Sequence, residues 1–172
     1  DSEIEERAAT LSRLKRLGGR TRKLYGALNL FAHERDLDEL PRVLNSIRHL
    51  PLDALIVADI GLIEPIRDVL PEIELHLSTQ ANCTNRNAAK LYHRLGFSRI
   101  VAARELTLDE IAAIRDAVPE LEVEVFVHGA MCMSYSGRCF LSTTMTGRSA
   151  NRGDWAHSCR WNYAITEEKR PG

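Results

Sequence analysis

The residues with the most chemical potential lie together in one glycine-punctuated stretch. His128-Gly-Ala-Met-Cys132-Met-Ser-Tyr-Ser-Gly-Arg138-Cys139 sets two cysteines at C-x6-C spacing, and Cys159 follows after nineteen intervening residues within Ser158-Cys159-Arg160-Trp161. Thiolates are soft ligands that select zinc or iron–sulfur clusters. The spacing is not the paired C-x2-4-C of a zinc finger. On spacing alone, two readings stand: a metal site, or small buried cysteines in a glycine-rich loop. Cys83 lies far upstream. Between 138 and 163, Arg138, Arg148, Arg152 and Arg160 face a single acid, Asp154, so the stretch is locally basic. Such arginines are candidates for meeting a phosphate backbone.

A second group of polar residues follows short apolar runs. Asn29, Asp59, Ser78-Thr79-Gln80 with Asn82, Arg104-Glu105 and His128 each stand where such a run ends. In parallel α/β proteins, ligands bind at the carboxyl ends of the strands. Taken singly, these residues also read as loop residues and helix caps, Asp59 and Asn29 above all. Taken as a set, Asn29, Asp59, Gln80, Arg104, Glu105 and His128 are candidate catalytic residues. Arg104 can clamp a carboxylate or phosphate in a bidentate way. Glu105 can orient Arg104 or act as acid or base. His128 can donate a hydrogen bond, move a proton or bind metal.

The elements that must position these groups alternate. Apolar runs near 23–31, 54–58, 75–78, 99–103 and 121–127 read as strands. Amphipathic stretches at 4–17, 36–49, 62–70, 84–95 and 107–117 read as helices. Pro41 is expected near a helix start, Thr84 as an N-cap, and Thr107-Leu-Asp-Glu110 as a capping box. Repeated β-then-α units imply parallel strands joined by crossover helices. Five strands are too few for a closed eight-stranded barrel. The expected class is therefore α/β, either a small open sheet or part of a TIM-like barrel over 1–128. The Cys/Gly/Arg-rich irregular segment, 129–172, follows it as the site-bearing part.

Composition bounds the function. The 172 residues are 44% hydrophobic and 27% charged, which suits one soluble globular domain. Lys plus Arg is 23 against 24 for Asp plus Glu, so a uniformly basic nucleic-acid coat is excluded. No apolar run reaches bilayer length. Four cysteines in a chain this long are not a disulfide scaffold, and a reducing cytoplasm is the expected compartment. Open sheet edges predict pairing with a second copy or with missing barrel strands.

The cysteine stretch resembles the signature of the collagenase-like peptidases of class U. Arg148-Ser-Ala-Asn-Arg-Gly-Asp-Trp-Ala-His-Ser-Cys-Arg-Trp161, Leu77-Ser-Thr-Gln-Ala-Asn-Cys-Thr-Asn85, Ala103-Arg-Glu-Leu-Thr-Leu-Asp-Glu-Ile111 and Leu55-Ile-Val-Ala-Asp59 carry the resemblance further. It implies a TIM-like barrel. It also implies an oxygen-independent hydroxylation protein acting on tRNA, ribosomal RNA or ubiquinone precursors, with a prephenate-like acid as hydroxyl source in the RNA branch. In that family four cysteines hold a 4Fe–4S cluster. By position, Cys132 and Cys139 match the first two ligands, and Cys159 matches a ligand of some relatives. The third family position is Trp155 here, and indole cannot ligate iron. The resemblance thus implies either a cluster held by Cys132, Cys139, Cys159 and another ligand, or a chain without one. Two further readings remain. One is a peptidase that draws its nucleophile from Cys132 and His128. The other is a non-catalytic fragment or subunit.

Overall fold

Short runs of three to five residues form the strands here, and five of them lie in one sheet. The computed structural model describes residues 2–19, 21–129 and 131–164. Strands β1 (Tyr25–Leu28), β2 (Ala54–Val57), β3 (Glu74–Leu77), β4 (Phe97–Val101) and β5 (Glu122–Glu124) lie side by side in chain order, every pair parallel. Helices α2 (Glu34–Ile47), α3 (Ile63–Val69), α4 (Arg86–Arg94) and α5 (Leu108–Ala117) make the crossovers. An N-terminal helix, α1 (Ser2–Lys15), precedes the sheet, and a short one, α6 (Leu141–Thr146), lies in the segment after it. The expected α/β class with β/α repeats is what forms. Among the described residues no helix is long and apolar enough to cross a membrane.

Alternation along each strand divides the residues between two faces. Leu55, Val57, Leu75, Leu77, Phe97 and Ile100 point to the helices and meet Leu44, Ile66, Ala89 and Ile114 in one buried core. The intervening residues Ala27, Ile56, His76, Arg99 and Glu122 stand in one register row on the other face. That face is polar. The Arg99 guanidinium pairs with Glu122, reaches Glu124 at 3.4 Å and donates to the Tyr25 hydroxyl at 3.1 Å, tying the fourth strand to the first. The Tyr25 ring meets His76 edge-on at 4.7 Å.

Local signals hold where they are self-contained. Thr107 caps α5, its hydroxyl accepting from the Glu110 N–H while the Glu110 carboxylate accepts from the Thr107 N–H at 2.8 Å. Two expectations are corrected. Asn85, not Thr84, caps α4, because its side-chain oxygen accepts from the N–H groups of both Asn87 and Ala88. Pro41 lies well inside α2 rather than near its start, because the helix begins at Glu34 with the His33 N–H donating to Asp36 at 2.8 Å. The apolar stripe of α1 is also left partly bare: Leu14 is 50% exposed, and a Lys15–Asp53 ion pair at 2.9 Å ties the helix to the sheet.

His76 is 1% exposed, and its Nδ1 has no hydrogen-bond partner. Burial lowers its pKa from 6.5, against the nearby Glu74 carboxylate 3.4 Å from Nε2, which favours the charged ring. The fold thus prefers neutral His76, and the unfolded chain takes up the proton first. Its stabilising contribution is complete above pH 6.5 and is lost as pH falls below it. Denaturant midpoints measured through that window should fall with pH, and the fall should flatten in His76→Phe. An equal slope in both proteins would remove this role from His76.

Candidate functional site

The strand ends and the cysteine segment enclose one cavity of about 900 Å³. The strand ends contribute Asn29, Ser78, Thr79, Gln80 and Arg104. The run beyond β5 contributes Phe126 and His128, and the segment contributes Cys132, Cys139, Cys159, Trp155, His157 and Arg160. The cavity therefore unites Asn29, Gln80, Arg104, His128, the three cysteines and Arg160. It leaves out Asp59, Glu105, Arg138, Arg148 and Arg152.

The residues left out hold the walls. Asp59 spends both carboxylate oxygens on backbone, accepting from Gly61 N–H at 2.9 Å and from Ala32 N–H at 3.0 Å. Glu105 accepts from the Ser136 N–H at 2.6 Å and from the Ser136 hydroxyl. Burial acts to raise the Glu105 pKa, but the two Ser136 bonds outweigh it and hold the carboxyl below its usual value. Arg138 donates from Nε to the Gln80 carbonyl at 2.9 Å and lies 4.9 Å over the Phe31 ring. Arg148 pairs with Asp154 at 2.7 Å. Arg152 grips Asp36 of α2 through two parallel bonds, one of 2.7 Å. Asn151 imitates a strand neighbour, accepting from Cys139 N–H at 3.0 Å and donating to its carbonyl at 3.3 Å. Gly137 makes the close approach possible: its φ is +85°, and a β-carbon there would come within 3.4 Å of Arg104.

Inside the cavity, several polar groups lack partners. Arg104 Nε is buried without one, and Nη2 has only a long 3.4 Å bond to the Ser134 carbonyl. The buried Ser158 hydroxyl is also unpartnered. Arg104 and Arg160 bring positive charge to the lining, and Glu124 the one carboxylate among the described lining residues. The Ser134 hydroxyl lowers the Cys139 pKa, burial opposes it, and the N–H groups of Ser142 and Leu141 add to the lowering. Cys83 differs: it is fully buried, and burial pushes its thiol up to about 11. It belongs to the core.

The donor set fits an iron–sulfur group in type, with three thiols on one cavity and one of them biased towards thiolate. It is not a closed cage. Among the described residues no three His, Cys, Asp or Glu side chains are grouped at metal-binding distance.

Sequence reasoning missed Glu124, Phe126 and Ser136. Strand parity would have found the first two, since residues 122, 124 and 126 share the face opposite the helices. Ser136 had no comparable signal: it adopts φ +43° only because Glu105 holds it.

The sequence profile of peptidase family U32 matches residues 3–172. The chain belongs to this family. It is 43% identical over 148 residues to tRNA hydroxylation protein P of Escherichia coli, covering 86% of this chain and 33% of that protein. It is 42% identical over 147 residues to a 23S rRNA 5-hydroxycytidine synthase of the same organism, covering 86% of this chain and 22% of that protein. A Porphyromonas gingivalis collagenase is 30% identical over 156 residues, covering 85% and 37% respectively. A solved U32 peptidase structure shares the fold, with a TM-score of 0.55 at 20% identity over 72% of this chain and 51% of that one. The chain thus spans about a third of the length of the tRNA hydroxylation proteins it matches.

The Arg152–Asp36 pair is the long-range tie between the segment and α2, 116 residues apart in sequence. The Arg152 guanidinium holds the Asp36 carboxyl well below the usual carboxylate range, so the tie persists through neutral pH and across that range and is lost only on acidification below it. Arg152→Ala and Asp36→Asn should each speed limited proteolysis within 138–160, and the double variant should be no faster than either. Unchanged cleavage in the single variants would show that the other contacts suffice.

Proposed function

We propose that this chain carries the substrate cavity of an RNA hydroxylation protein. The observation that supports this most is convergence: three thiols, two arginines and the amide side chains of Asn29 and Gln80 meet in one cavity at the strand ends. The names of its tRNA- and rRNA-modifying relatives point the same way. An RNA substrate would place the reaction in the cytoplasm.

Each residue then has a task. Arg104 anchors an anion, either an RNA phosphate or a small carboxylic acid that supplies the hydroxyl group, because it lines the cavity and its Nη2 is held only by a long bond to the Ser134 carbonyl. Gln80 and Asn29 offer both donors and acceptors to a base edge. Glu105 stays charged and positions Ser136, which keeps the wall beside Arg104 in place. Arg160 adds phosphate attraction at the lining. Cys132, Cys139 and Cys159 would hold a 4Fe–4S cluster. When bound, that group supplies one-electron chemistry.

The peptidase reading needs an activated nucleophile. His128 and Cys132 share the cavity, but among the described residues no histidine is hydrogen-bonded to a cysteine. The thiol whose pKa is lowered is Cys139, and Ser134 does this.

Protein purified without air should contain iron and acid-labile sulfide in comparable amounts and absorb in the visible. Cys132→Ala and Cys139→Ala should lose both. A folded, colourless protein with neither would end the cluster assignment. Mass spectrometry of nucleosides from tRNA and rRNA, in cells depending on this protein, tests the reaction. Arg104→Ala should lower the hydroxylated nucleoside by about 10- to 100-fold, the worth of a lost charge-assisted bond. An unchanged level would take Arg104 out of the mechanism.

A further inference from the structure

Trp155 is an indole in a cavity whose lining joins apolar side chains, among them Ile56, Val101 and Leu141, to three thiols and two arginines. It is 42% exposed although it lines the enclosed site, so much of its ring surface lacks a protein partner. Phe126, on the same lining, is 56% exposed. Half-bare aromatic rings lose the contacts that normally repay their burial, unless another flat group covers them. The same lining carries two cationic side chains, Arg104 and Arg160. Aromatic faces, base-edge donors and acceptors, and a positive lining are together what an unstacked nucleobase on its phosphate chain requires.

We propose that Trp155 is the stacking platform for one unpaired base of the RNA. This rests on the RNA reading above and deepens it by specifying a single-stranded or extruded nucleotide rather than a paired helix. Trp155 is then a binding residue, touching the base face, while Gln80 and Asn29 read its edge. The backbone supports such a placement: His157 takes φ +53° and Gly153 φ +85°, so the chain on both sides of Trp155 is bent into left-handed turns. The Arg148–Asp154 pair fixes the residue beside it.

The chain has two tryptophans, Trp155 and Trp161, so Trp161→Phe leaves Trp155 as the single reporter. Its fluorescence would be followed during titration with a short single-stranded oligouridylate, and with an abasic ribose-phosphate oligomer of equal length. Oligouridylate should quench it and the abasic oligomer should not. Trp155→Ala should bind oligouridylate about 5- to 150-fold more weakly, the usual range for losing one base–aromatic stack. Trp155→Phe should recover most of that loss, which a structural role for the indole does not predict. Equal binding of both oligomers, or full affinity in Trp155→Ala with binding still weakened by salt, would overturn the stacking role and leave the RNA reading standing. No binding of either oligomer by the folded protein at low salt would overturn both.

Discussion

Strand parity decides what this molecule can do. In five parallel strands laid in chain order, every second residue is committed to the helices. That half is filled with Leu, Val, Ile and Phe, and it is dry. The other half is released from packing duty and is polar, with Tyr25, His76, Arg99 and Glu122 holding one another across the sheet. At the carboxyl ends, where the crossover turns begin, the same freedom exposes Asn29, Gln80 and Arg104 to the cavity. A one-residue slip in any strand would send core leucines to that side and the polar groups into the helices, so the site and the core are fixed by the same register.

The segment after residue 128 obeys a different constraint. Among its described residues it has one six-residue helix and several single turns, too little regular structure to bury its own backbone. Its polar groups are satisfied by the strand ends instead. Glu105 takes Ser136, the Gln80 carbonyl takes Arg138, and Asp36 takes Arg152. Three of the residues read as site residues, Glu105, Arg138 and Arg152, are thereby the fasteners that bring the cysteines over the sheet. Arg104, next in sequence to Glu105, keeps its charge for the cavity. Adjacent residues leaving one strand thus divide the work of holding the segment and facing a ligand.

How far the sequence was legible follows from how local each signal is. The strands were legible because continuous apolar runs of four or five residues have few other uses. The capping box at Thr107 was legible because donor and acceptor lie three residues apart. Thr84 against Asn85 was not decidable, since both side chains cap helices and the choice depends on the turn before them. The start of α2 was hidden because His33 is an unusual cap. The last strand was overestimated: residues 121–127 carry strand composition, but pairing ends at Glu124, and Phe126 leaves the sheet for the cavity. Least legible were contacts between the segment and the sheet. Nothing near Arg152 or Asp36 in sequence names its partner. The polar strand ends were recognisable as a set, but which members face the cavity and which brace its walls depends on those same distant contacts.

Trp155 shows why the arrangement matters more than the motif. The family resemblance implies a ligand position at Trp155, a role indole cannot fill. In the folded chain the same residue stands beside three thiols, two unpartnered polar groups and an arginine, with much of its surface uncovered. A large apolar ring held half-exposed by bent backbone on either side costs solvation that no internal contact returns. Aromatic residues left in that condition on the wall of a concave site are repaid by what enters it. At that place the lining presents one broad flat face and no soft donor.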